Sequence, residues 1–114
     1  MNQGIRTVIY PVRDIEKAKN LFSKLLGVQP SMEYPNYVGF KAGEQEIGLD
    51  PNGIKQGMLG PLGYYQVDDI RKTLQSLQEA GAQVRQEIKD IGGGKLIASI
   101  IDPDGNVIGL IQMP

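Results

Sequence analysis

Two hydrophobic periods alternate along this chain. Ile5–Tyr10 is a short β-branched run that reads as a strand. Asp14 follows, and after it Ile15, Ala18, Leu21, Phe22, Leu25 and Leu26 recur at helical spacing with charged residues between them. An aspartate suits the N-cap because its carboxylate accepts from backbone N–H groups that the first turn leaves unpaired. Gly27 suits the stop, where the backbone turns left-handed. Strand-like runs return at Val28–Tyr34, Tyr37–Lys41 and Glu46–Asp50. The first half therefore predicts a strand, a helix and three more strands.

Proline and glycine crowd residues 51–61, which predicts a linker. Beyond it the pattern starts again. Leu62–Val67 reads as a strand and Asp69 as a cap. Ile70, Thr73, Leu74 and Leu77 form an apolar helical face, and Gly81 is the stop. Strands are predicted at Ala82–Ile88, Leu96–Ile101 and Val107–Gln112, with a Gly92-Gly93-Gly94 break before the second of them. Asp102-Pro103-Asp104-Gly105-Asn106 joins the last two as a tight hairpin turn.

The halves match at specific residues. Val12-Arg13-Asp14-Ile15 parallels Val67-Asp68-Asp69-Ile70, and Gly27-Val28-Gln29 parallels Gly81-Ala82-Gln83. Ile47-Gly48-Leu49 parallels Ile108-Gly109-Leu110. Three matches in one order point to a duplicated βαβββ unit. We read residues 1–114 as one α+β domain, with module one at about 4–50 and module two at about 62–113.

Composition narrows the chemistry. The 114 residues contain no His and no Cys, which excludes disulfides, thiolate or imidazole metal sites, Cys nucleophiles and Ser-His-Asp triads. Only oxygen-ligated metals remain open. The net charge of −1, with no basic run, leaves no electrostatic footprint for nucleic acid. No apolar run approaches the ~20 residues of a membrane span. Met1–Gly4 lacks the features of a signal peptide, so a cytoplasmic location is expected.

The paired Val-x-Asp-Ile motifs, the helices ending Leu25-Leu26-Gly27 and Ala80-Gly81-Ala82, and the Asp102–Asn106 turn resemble the vicinal oxygen chelate superfamily. That family includes glyoxalase I, extradiol dioxygenases and the fosfomycin- and bleomycin-resistance proteins. The resemblance covers essentially the whole chain. It implies two βαβββ modules whose mixed sheet curls into a cup, with the helices on the outer face and a ligand inside. Catalytic members hold a divalent metal through His on the first strand of a half and Glu on its last. The corresponding positions here are Thr7, Leu62, Gly48 and Gly109. None is a metal ligand of that kind, so the expectation is no metal and no cofactor, as in the bleomycin-resistance members.

Strand alternation turns the resemblance into a residue list. With Gly48 and Gly109 facing the cup, Glu46, Asp50, Val107 and Ile111 face it too, while Ile47, Leu49, Ile108 and Leu110 face the helices. On the first strands Ile5, Thr7 and Ile9, and Leu62, Tyr64 and Gln66, line the cup. Parity on Tyr37–Lys41 and Leu96–Ile101 stays open. Apolar walls with a few polar points suit a small organic ligand. Glu46 and Asp50 could meet a cationic group, Tyr64 a ring or a cation, and the two glycines would leave volume vacant.

Competing readings are structural. Asp14 and Asp69 serve as caps, and neighbours Asp68 and Asp69 diverge at a helix start instead of forming an acid/base pair. Asp102–Asn106 lacks the closing Glu of a calcium loop, and Gly92–Lys95 lacks the spacing of a phosphate loop. The expected function is metal-independent binding of a small molecule, of the sequestration or resistance type, by a homodimer. An enzyme of the same superfamily using carboxylates, whether lyase, isomerase or dioxygenase, is one alternative. A non-catalytic interaction protein with a filled cup is the other.

Overall fold

The computed structural model describes residues 2–114; Met1, part of the N-terminal stretch considered above, lies outside them. The order is β1 (Asn2–Pro11), α1 (Ile15–Leu26), β2 (Met32–Tyr34), β3 (Tyr37–Ala42), β4 (Gln45–Asp50), β5 (Leu62–Val67), α2 (Ile70–Glu79), β6 (Gln83–Asp90), β7 (Leu96–Ile101) and β8 (Val107–Gln112). This is an α+β fold with parallel and antiparallel strand pairs. It divides into two compact units. One is continuous, Thr7–Leu62. The other joins β1 up to Arg6 with Gly63–Pro114.

In the continuous unit the strand order is β2-β3-β4-β1. β1 and β4 run parallel, pairing Thr7 with Glu46 and Ile9 with Gly48. β3 and β4 run antiparallel, pairing Gly39 with Gly48. Helix α1 starts where the Asp14 carboxylate accepts the Lys17 N–H at 3.1 Å. It stops at Gly27, whose φ of 71° lets its N–H reach the Ser23 carbonyl. Ile15, Ala18, Phe22 and Leu26 pack on Val38, Phe40 and Leu49, with Tyr10, Val12 and Ile47 around them. Burial of Phe40 and Leu49 contributes about 1.5–3 kcal/mol each. Leu21 and Leu25 depart from the predicted apolar face and are exposed, because the sheet contacts a narrower stripe than the full run of apolar positions. The second strand also starts late, at Met32 instead of Val28. Pro30 has no N–H to give a ladder.

In the second unit the order is β1-β5-β8-β7-β6. β5 and β8 run parallel, with Tyr64 opposite Gly109 and Gln66 opposite Ile111. β7 and β8 form the predicted hairpin, with Ser99 opposite Gly109. At its turn the Asp102 carboxylate accepts the N–H groups of Asp104 and Asn106 at 3.0 and 2.8 Å, and the Asn106 side-chain amide at 2.9 Å. Helix α2 is capped by Asp69, which accepts from Lys72 N–H at 3.1 Å. Its first N–H, on Ile70, donates to Gln112 Oε1 of β8 at 2.8 Å. Val67, Ile70, Leu74, Ala98, Ile100 and Leu110 form the core beneath it. β6 pairs with β7 through two register shifts, between Val84 and Gln86 and between Gln86 and Lys89. These bulges bend the strand and change which residues face which way.

Candidate functional site

Each unit keeps its helix on one sheet face. The other face carries the alternate residues, and the candidate positions fall there. In the continuous unit Ile47 and Leu49 lie in the core, so Glu46, Gly48 and Asp50 point away from α1. Tyr10 lies in the core, so Ile9 and Thr7 point away as well. Val38 and Phe40 resolve the open parity of β3. Both are buried against the helix, which leaves Tyr37 and Gly39 on the far face.

On that face Ile9, Gly48 and Gly39 form one cross-strand row. The Tyr37 ring covers it. A β-carbon on Gly39 would stand 3.3 Å from Tyr37 Cε2. One on Gly48 would collide with the Tyr37 hydroxyl and come within 2.6 Å of Ile9 Cδ1. Thr7 is buried, and its hydroxyl donates to Glu46 Oε1 at 3.4 Å. Asp50 is occupied locally, accepting the Asn52 N–H at 2.8 Å where the chain enters the linker. Within that linker Gly53 lies against both the Met58 sulfur and Pro11 at the end of β1.

In the second unit Ile108 and Leu110 pack under α2, which turns Val107, Gly109 and Ile111 to the opposite face. Tyr64, Gly109, Ser99 and Gln86 form a row across four strands. The Tyr64 ring lies flat on this row. A β-carbon on Gly109 would stand 2.5 Å from Tyr64 Cδ1 and 2.8 Å from both Cγ and Cε1. Those near-equal distances are those of a point above the ring plane. An approach from the ring edge would leave the flanking atoms farther away. Gln66 accepts from Arg6 Nη1 at 3.2 Å. Ile111 is buried and Val107 exposed, and Leu62, the last residue of the continuous unit, is buried. Ile5 departs from its expected place. It lies over Gly63, on the face of Tyr65 and not that of Tyr64.

The vacant volume expected at Gly48 and Gly109 is therefore filled. Both glycines floor a tyrosine ring, and that close approach is what excludes a side chain. Tyr37, Ser99 and Arg85 also belong to these faces and were missed. For Tyr37 no local signal existed, because the pairing of Gly39 with Gly48 that marks its face is made across strands. For Arg85 a signal existed: Val84 and Ile88 are apolar at an even spacing, which puts Arg85 on the opposite face by plain alternation.

The four positions that the family resemblance marks for metal ligands carry no carboxylate, imidazole or thiolate. Thr7 offers one hydroxyl, already turned to Glu46, and Leu62 offers none. A carboxylate at residue 48 or 109 would need the tyrosine displaced. Among the described residues no group of three or more His, Cys, Asp or Glu side chains converges.

A separate polar cleft of about 290 Å³ lies beside α1, lined by Lys19, Asn20, Ser23, Lys24, Gln29, Pro30 and Glu33. Lys19 bridges Glu33 at 2.6 Å and Glu16 at 2.9 Å. Those hydrogen bonds, to Glu33 first and Glu16 second, raise its pKa above the ordinary lysine value. Lys19 is thus already paired within the helix and with β2. No helix among the described residues is long and apolar enough to cross a membrane.

The sequence model of the Glyoxalase/Bleomycin resistance protein/Dioxygenase superfamily matches residues 4–110. A curated relative, the probable chloroplastic lactoylglutathione lyase of Arabidopsis thaliana, is 29% identical over 92% of this chain. The match spans only 34% of that relative's length. Among solved structures, a hypothetical protein of Bacillus halodurans C-125 superposes with a TM-score of 0.79 at 16% identity, covering 99% of this chain and 95% of that one. The Mn(II)-bound glyoxalase of Novosphingobium aromaticivorans superposes with a TM-score of 0.73 at 20% identity, over 98% of this chain and 40% of that one. At these identities the likeness to solved structures is one of fold.

Proposed function

This chain belongs to the Glyoxalase/Bleomycin resistance protein/Dioxygenase superfamily, and we propose that it is a metal-independent member that binds a small organic molecule. One observation carries the reading. The positions where the family resemblance implies metal ligands hold Thr7, Gly48, Leu62 and Gly109, and tyrosine rings take the space a ligand side chain would need at both glycines. The same rings supply the flat aromatic surfaces that organic ligands use. Thr7, Glu46 and Gln66 add polar points among apolar neighbours, the composition of a small-molecule site.

The test is metal retention. Purified chain is incubated with Zn²⁺, Ni²⁺ or Mn²⁺, dialysed, and assayed for bound metal and thermal stability. The expected result is no stoichiometric metal and no rise in Tm. A site filled at a hundred times its Kd would stabilise the fold by about 2.7 kcal/mol. Retention of one metal per chain with such a rise would overturn the reading.

A second reading has support in the curated relative's name, a lactoylglutathione lyase. For such an activity the placed carboxylate is Glu46, hydrogen-bonded by Thr7. Turnover of lactoylglutathione that disappears in Glu46→Gln, with folding intact, would favour it. We also propose that the chain is a homodimer, which light scattering on the eluting protein tests.

A further inference from the structure

The four-strand row of the second unit is built asymmetrically. At one end Tyr64 lies over Gly109. At the other, the first β6 bulge gathers polar side chains over Ser99. Val84 pairs with Ile100, on the α2 side, so Arg85 falls on the opposite face. The register shift then brings Gln86 opposite Ser99, on that same face. A regular strand would have alternated them. The bulge instead sets two long hydrogen-bonding side chains against one small residue, as bulges near binding sites do.

Ser99 is fully buried, and its hydroxyl accepts from Arg85 Nη1 at 3.4 Å. That contact holds an otherwise exposed guanidinium over the row while using one of its five N–H donors. Strands β5, β7 and β8 place no carboxylate on this face: their positions are Tyr64, Gln66, Ile97, Ser99, Gly109 and Ile111 among others. Three cations and one carboxylate of the neighbouring strands fall on it, the carboxylate being Glu87 of β6, since Ile88 beside it packs toward α2. Arg6 reaches Gln66, Arg85 reaches Ser99, and Lys89 sits opposite Ile97. An anion on Arg85 meets no like charge along β5, β7 and β8 and one along β6, Glu87, against which Arg6, Arg85 and Lys89 leave the face net cationic. A guanidinium fork matches a carboxylate in two parallel hydrogen bonds.

We propose that this face carries a subsite for an aromatic carboxylate, with the acid group on Arg85 and the ring against Tyr64, Ser99 acting as the residue that positions Arg85. The proposal rests on the small-molecule reading above and names its ligand class. It differs from the sequence expectation of a cationic ligand at Glu46 and Asp50, both of which lie in the other unit.

Benzoate is the probe and benzylamine its cationic counterpart, each titrated into the metal-stripped full chain while backbone amide shifts are followed. Benzoate is expected to shift Arg85, Ser99 and Gly109, and benzylamine to leave them in place. Arg85→Gln should weaken benzoate binding roughly tenfold or more, and Arg85→Lys, which keeps the charge without the fork, by less. Ser99→Ala should weaken it while Arg85→Lys becomes no worse than Arg85 in that background. Benzoate that leaves these amides unmoved, or binds Arg85→Gln as well as wild type, overturns the proposal. Benzylamine shifting them in its place overturns the anion alone. The metal-independent reading is decided separately, by metal retention.

Discussion

Gly109→Ala adds one methyl group at the most informative position in the chain. Its backbone is not among the glycines held at positive φ, so alanine fits the strand without backbone strain. Alanine in place of glycine should then gain roughly 0.5–1 kcal/mol by reducing the freedom of the unfolded chain. Against this, the new β-carbon stands 2.5 Å from Tyr64 Cδ1, over the ring face. A rigid ring cannot yield as a flexible chain end does, and overpacking of this kind costs about 1–3 kcal/mol. The net expectation is a loss of roughly 0.5–2 kcal/mol, or about 2–8 °C in Tm for a domain of this size. In a Tyr64→Ala background the obstacle is gone and the same substitution should stabilise. The two effects differ in sign, so the coupling is about 1–3 kcal/mol. Urea unfolding of the four proteins, followed by circular dichroism, measures it. Equal effects of Gly109→Ala in both backgrounds would refute the placement of the Tyr64 ring.

Gly48→Ala should destabilise in the same way, and Tyr37→Phe should relieve part of the cost because the hydroxyl is among the obstructing atoms; a matching denaturation cycle checks it. The Asp102 carboxyl is held below the ordinary aspartate pKa, first by the Asn106 side-chain amide and then by the Asn106 backbone N–H. Its contribution is therefore complete above the ordinary aspartate value and lost as pH falls through the lowered one. Asp102→Asn should flatten that acid limb of a Tm-against-pH profile. Asp69→Ala removes the α2 cap and should cost about 1 kcal/mol, with amide exchange accelerating first at Lys72, whose N–H the carboxylate accepts.

Repeated chemistry made much of this fold readable. Both aspartate caps, the Gly27 stop and the Asp102 turn depend on residues within a few positions of one another, and each formed where local pattern placed it. The alternation of β4 and β8 was readable because Ile47, Leu49, Ile108 and Leu110 form apolar pairs two residues apart. Features that depend on other strands were not. β3 carries Val38, Gly39 and Phe40 in a row without a polar marker for its faces, so Tyr37 could not be assigned. The Gln86 position depends on a bulge set by pairing with β7. The fate of Gly48 and Gly109 was misread for a related reason: a glycine opposite an aromatic residue looks the same in sequence as a glycine opposite empty space.

Strand β1 belongs to both units, giving its residues up to Arg6 to one and those from Thr7 onward to the other. This imposes an order on assembly during synthesis. The Thr7–Leu62 unit has all its strands once β4 has emerged, so it can close on contacts made within about half the chain. The other unit must hold its first strand in waiting until β5 arrives, some 60 residues later, as the hydrogen bond from Gln3 to Asp68 across 65 positions records. Its last requirement is Gln112, which meets the start of α2. The two halves look like copies in sequence, yet one is a local folding problem and the other is among the longest-range closures the chain can make.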